Sequence, residues 1–165
     1  MNPCRLFALL LLLLFGGGTL RAQERIGFAY CDLDRLYDTI PALFYDDSDY
    51  TPQGCLRWDG ARYRAKVGRA AELLDCMAMP LVGLYGVETE AVVRDLITAS
   101  GRPYCYVHRT LNSLDGMDFA LLYYGDRFFP GRVESGRGYL CVEGLFDGEL
   151  LAVLLERGER FLAEL

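Results

Sequence analysis

The sequence predicts an α/β (α+β) domain built on a mixed β-sheet with two helices on one face. Three observations predict it. Apolar periodicity runs strand, helix, strand, helix and then a series of strands. Each helical stretch carries one apolar stripe at helical spacing. Asp147-Gly148 is a strong hairpin signal between two of the late strands.

The elements follow in order. Residues 26–34 (IGFAYCDLD) are rich in β-formers and predict a first strand. Residues 39–60 hold Pro41, Pro52, Gly54 and Gly60 with Asp46, Asp47 and Asp49, and predict a long loop of the kind that carries function. Residues 61–77 predict a helix capped by Asp59 and stopped by Pro80, with Val67, Ala70, Leu73, Leu74 and Met77 on its apolar face. Residues 81–85 (LVGLY) read as a short buried strand. Residues 89–100 read as a second helix, capped by Thr89 and ended by Gly101. Strands are expected over 104–108, 118–124, 127–134, 139–145 and 150–155, leaving a short amphipathic tail from Arg157. With every strand placed in one sheet, only that tail is left to cover the face opposite the helices.

The amino terminus reads as an export signal. Arg5 precedes an unbroken apolar run over residues 6–15, Gly16 to Gly18 break it, and Ala22 offers a small residue for cleavage. The run is shorter than the ~20 apolar residues a membrane-spanning helix needs. Residues 1–22 are therefore expected to be a signal peptide, and 23–165 one domain located in the periplasm or outside the cell. The chain has a net charge of −6. The leader carries Arg5 and Arg21 and no acid, so its removal makes the domain more acidic still. That argues against a passive nucleic-acid-coating protein, which would be basic. Cys31, Cys55, Cys76, Cys105 and Cys141 remain, with no CxxC pair, and the single histidine is His108. A zinc site is not expected. The odd cysteine count leaves at least one thiol unpaired or paired between chains, and Cys105 and Cys141 are expected to be buried as small apolar residues.

Several segments then fall into a familiar order. Residues 30–39 (YCDLDRLYDT) resemble a first strand of the type FYNVENLFDT. DYTPQG at 49–54 with Trp58, Arg62, Tyr63 and Lys66 resembles an EFTP-G-W and RY--K stretch. LVGLYGVET at 81–89 resembles IVGLCEVEN. SLDGMDFALLY at 113–123, followed by GDRF at 125–128, resembles SPDxRGIDVALLY and its continuation. The ordered set resembles the exported bacterial branch of the endonuclease/exonuclease/phosphatase family. The resemblance implies metal-assisted hydrolysis of phosphoesters in a four-layer sandwich, of which this chain would form the first half. In that chemistry a carboxylate holds Mg²⁺, which offsets charge on the phosphate.

Carried over residue by residue, the resemblance implies a degenerate site. The metal-binding Glu of the family falls at Gly86, which offers no oxygen donor to a hard cation. Glu88 lies two residues on, a step of about 6–7 Å along a strand. The family's first-strand Asn falls at Asp32, with Asp34 and Asp38 nearby. Asp118 matches the family's acid, but Asp115 stands where the family has Arg. His108 matches a family histidine that is more often structural than catalytic. The Asn-His-Trp-Pro segment is replaced by LLAVLLERG at 150–158, with Leu154 and Leu155 at the polar pair. The candidate catalytic residues are thus Asp32 and Asp118, and the candidate metal ligands Glu88 and Asp34.

Three readings stay open. One is a catalytically degenerate family member without a cofactor, acting as a binding or interaction protein. A second is an active Mg²⁺- or Mn²⁺-dependent phosphodiesterase or nuclease with a rearranged acidic site. A third is a gene remnant. A homodimer, or a second chain, is expected to cover an exposed sheet face.

Overall fold

The computed structural model describes residues 26–157 in full and the backbone of residues 160–164. The expected signal peptide lies outside the described residues. Strand β1 (Phe28–Leu36) is followed by helix α1 (Gly60–Met77), β2 (Leu81–Val87), helix α2 (Glu90–Ser100), β3 (Tyr104–Arg109) and β4 (Asp118–Tyr124). Then come β5 (Phe128–Gly136), β6 (Tyr139–Phe146), β7 (Glu149–Glu156) and β8 (Arg160–Glu164). The loop before α1 contains one 3₁₀ turn, Ser48–Tyr50.

Local chemistry explains the helix boundaries. Asp59 accepts hydrogen bonds from the Ala61 and Arg62 amides at the start of α1. Thr89 accepts from Val92 N at the start of α2, and Gly101 ends that helix in the left-handed conformation.

The first sheet is mixed, in the order β1-β2-β4-β3. β1 and β2 are parallel, joined through α1, and the other two pairings are antiparallel. Both helices lie on one face. Val67, Ala71 and Leu74 of α1, with Val92, Val93 and Leu96 of α2, pack with Val82, Leu84, Ala120 and Leu122 of the sheet.

The late strands do not extend this sheet. β5 to β8 form a second, antiparallel sheet of four strands in sequence order. It covers the face opposite the helices: Phe128, Leu140, Val142, Val153 and Leu155 pack against Leu81, Val107, Phe119 and Leu121. The face that the sequence reading left bare is therefore covered by the chain itself. The strand patterns show why. β4 is buried on both sides through Asp118–Leu122, as a central strand between two layers must be, whereas β6 and β7 alternate between buried and more exposed positions. The apolar side chains left outside are those of the second sheet's outer face. Phe129, Leu145 and Leu150 are exposed there and stand in one cross-strand row.

Two cysteine expectations change. Cys105 is exposed on the edge strand β3, and Cys141 is only half-buried, while Cys31 is the buried one; all five described cysteines are free. Among the described residues, no helix is long and apolar enough to cross a membrane.

The two sheets pack closely at Gly83. A Cβ there would lie 2.5 Å from Leu155 Cδ2 and 3.2 Å from Phe28 Cζ. Leu155 is fully buried and has no free space to retreat into. Gly83→Ala is therefore expected to lower unfolding free energy by about 1–3 kcal/mol in urea titration. An unchanged midpoint would contradict this close packing.

Candidate functional site

The site forms where β1 and β2 end side by side. The parallel register runs to Asp32 opposite Tyr85 and resumes only at Leu36 opposite Val87. In between, Asp34 and Arg35 adopt left-handed φ of 48° and 59°. Such conformations cost non-glycine residues roughly 1–2 kcal/mol each and persist only when neighbours hold them. The neighbours are identifiable. Lys66 of α1 donates to the Asp34 carbonyl and, at 3.2 Å, to the Arg35 carbonyl. Asp32 Oδ1 accepts the Asp34 amide at 2.8 Å. The Lys66 ammonium stands 5.7 Å from the centre of the Trp58 ring, whose Nε1 donates to Tyr37 O at 3.0 Å. Burial lowers the Lys66 pKa, opposed by the Asp34 charge.

Facing this turn, β2 bulges at Gly86. Its φ is +82°, and pairing with both neighbouring strands skips from Tyr85 to Val87. The bulge inverts the strand's phase, so Val87 joins the helix-side core with Val82 and Leu84. A Cβ at position 86 would lie 3.2 Å from Asp32 Oδ1 and from the Arg35 amide nitrogen, and 3.4 Å from the Asp34 nitrogen. Glycine alone meets both the positive φ and this crowding without strain.

The candidate acids part company here. Glu88 is buried beneath the long loop. Its Oε2 accepts the Asp38 amide at 2.5 Å and its Oε1 accepts the Tyr45 hydroxyl at 2.8 Å. Asp118 is buried as well, with Oδ2 3.1 Å from His108 Nε2 and Oδ1 accepting Leu111 N at 2.8 Å. Both carboxylates thus hold loops in place. Asp32 and Asp34 are exposed and come together, lining a cavity of about 260 Å³ with Arg35, Tyr85, Asp115, Met117 and Arg157.

A hexacoordinate ion such as Mg²⁺ needs several oxygen donors converging at about 2.0–2.1 Å. These residues do not fit that need. Position 86 offers no donor, Glu88 and Asp118 already accept hydrogen bonds on both oxygens, and Asp32 commits one oxygen to a backbone amide. Among the described residues, no group of three or more His, Cys, Asp or Glu side chains is placed to hold a metal ion.

Charge in the cavity is instead balanced by protein. Asp115, from the β3–β4 loop, pairs with Arg157 at the end of β7. Arg157 also lies 5.7 Å from the centre of the Tyr85 ring, and the Tyr37 hydroxyl donates to Asp115 O at 2.7 Å. Burial pushes the Asp115 carboxyl up, but hydrogen bonds from Ser113 and Met117 N, with the Arg157 charge, leave it below its ordinary value. The pair spans the two sheets, which is why sequence reasoning missed Arg157 and Tyr85. The sole local signal was an arginine placed just past the end of a strongly apolar strand.

The sequence model described as "Endonuclease/Exonuclease/phosphatase family" matches residues 27–152. No curated protein matches the sequence. A crystal structure of humanized D. rerio TDP2, carrying 14 mutations, is similar at 16% identity and a TM-score of 0.49, over 81% of this chain and 49% of that one. A crystal structure of an endonuclease/exonuclease/phosphatase family protein from Bacteroides thetaiotaomicron is similar at 15% identity and a TM-score of 0.48, over 78% of this chain and 47% of that one. The chain spans about half the length of these solved structures.

Glu88 makes stability depend on pH. Burial is the largest cause raising its pKa, to about 7; the Asp38 amide and Tyr45 hydroxyl bonds pull it down, and the Asp38 and Asp47 charges add to the rise. The folded value exceeds the unfolded one. Its stabilising contribution is therefore complete below the ordinary Glu pKa of about 4.3 and is lost as pH rises through about 7. Thermal melts across this window are expected to show the wild type losing more stability with rising pH than Glu88→Gln does. Parallel profiles for the two proteins would show that Glu88 does not titrate there.

Proposed function

The chain belongs to the endonuclease/exonuclease/phosphatase family, and we propose that it is an exported member that has lost metal-dependent phosphoester hydrolysis and retains its cleft for binding. The observation that carries this reading is Gly86. By the sequence resemblance it falls where the family has its metal-binding carboxylate, and it lies in a left-handed bulge where an added Cβ would crowd Asp32 and two backbone nitrogens. A side chain at that position would strain the backbone as well as restore a donor.

Two further features support the same reading. The acids that sequence reasoning offered as substitutes, Glu88 and Asp118, are buried and engaged in holding loops. Within the cavity, Arg157 is paired with Asp115, so this cation is already neutralised by the chain's own carboxylate. A phosphoester would have to displace that pair to reach Arg157. Asp32 and Asp34 would meanwhile repel its negative charge. Export is supported by the apolar run at residues 6–15 and the glycines that follow.

The test uses protein recovered from the periplasm or medium, where an amino terminus near Gln23 is expected. Incubated with bis(p-nitrophenyl) phosphate and Mg²⁺ or Mn²⁺, it is expected to release nitrophenol no faster than the metal alone. Metal-dependent turnover that disappears in Asp32→Asn would overturn the reading.

A further inference from the structure

A second, larger cavity adjoins the first, sharing Tyr85, Met117 and Arg157 with it. It lies between the β3–β4 loop and the turn joining β5 to β6, and its volume is about 570 Å³. That is within the range of sites that enclose small organic molecules. One wall is the half-buried Tyr85 ring, backed by the fully buried Phe119 ring at 4.9 Å between centroids, tilted by 38°. Met117, almost wholly buried, packs behind that wall.

The charged groups on the lining are few, and they differ in how far they are committed. Arg157 is already paired with Asp115 and set against the Tyr85 ring. Arg137 and Glu156 make no ion pair among the described residues. They come from different strand ends that the backbone ties together. Arg157 N donates to Gly138 O at 3.0 Å, and Tyr139 stands directly opposite Glu156 in the β6–β7 ladder. One uncommitted guanidinium and one uncommitted carboxylate therefore border the same aromatic cavity.

We propose that this cavity binds an aromatic zwitterion of the size of a free aromatic amino acid. Its ring lies against Tyr85, its carboxylate faces Arg137 and its ammonium faces Glu156. The charge pattern decides against the alternatives. A dianionic phosphate monoester gains one free guanidinium but meets Glu156 and the nearby Asp115 carboxylate. A simple organic cation gains Glu156 but meets Arg137. Only a ligand carrying both charges satisfies both side chains without leaving a like charge opposed.

The inference rests on the reading of the cleft as a binding site. Titration calorimetry of the full chain with L-tryptophan, N-acetyl-L-tryptophan, tryptamine and phenyl phosphate tests it. Tryptophan is expected to bind about tenfold more tightly than either singly charged analogue, the worth of one charge-assisted hydrogen bond. Arg137→Gln is expected to remove the advantage of tryptophan over tryptamine, and Glu156→Gln its advantage over N-acetyltryptophan. Both side chains are at the surface, and unchanged melting temperatures would confirm that the variants fold. The proposal fails if tryptophan does not bind, if phenyl phosphate binds more tightly, or if both variants weaken all ligands alike. Release of phosphate from phenyl phosphate would defeat the loss-of-hydrolysis reading. Absence of tryptophan binding without such release would defeat only this one.

Discussion

The structure turns on how one lysine holds a strained corner. Lys66 reaches from the first helix to the carbonyls of Asp34 and Arg35, two consecutive left-handed residues at the end of β1. The corner crowds the adjacent strand end, and that strand accommodates it with a bulge at Gly86. Everything at the mouth of the cleft inherits this arrangement. Asp32 is oriented by a backbone amide, and position 86 tolerates little besides glycine. The phase of β2 is reversed beyond it, so Glu88 is free to anchor the long loop instead of entering the cavity.

The second sheet completes the cleft as well as the core. By covering the open face of the mixed sheet, it brings the end of β7 and the β5–β6 turn beside the β3–β4 loop. The Asp115–Arg157 pair crosses this gap and joins the two layers. The outcome is a cleft in which one cross-sheet ion pair is satisfied internally and Tyr85 forms part of the wall.

Much of the fold was legible from local signals. Asp59, Thr89 and Gly101 mark helix ends because capping chemistry acts within a few residues. Asp147 and Gly148 both take positive φ, as the hairpin signal required. What escaped was long-range. The sequence pattern does not say whether β5 to β8 extend the first sheet or stack on it, since either arrangement buries Leu151, Val153 and Leu155. Cys105 read as apolar in a strand, but its strand is an edge and its side chain is exposed. At the site, the absence of a side-chain donor at Gly86 was visible in one letter. The fates of Glu88 and Asp118 were not, because their partners lie in loops whose course no short pattern specifies. Arg157 acquires its role only when two sheets place it against Asp115 and Tyr85.

Titration calorimetry with Mn²⁺ bears most directly on the central claim that the corner at residues 34–35 and the bulge at Gly86 leave no divalent-metal site. The account predicts no saturable heat corresponding to binding tighter than about 1 mM. One-to-one binding in the low micromolar range, abolished by Asp32→Asn, would contradict it.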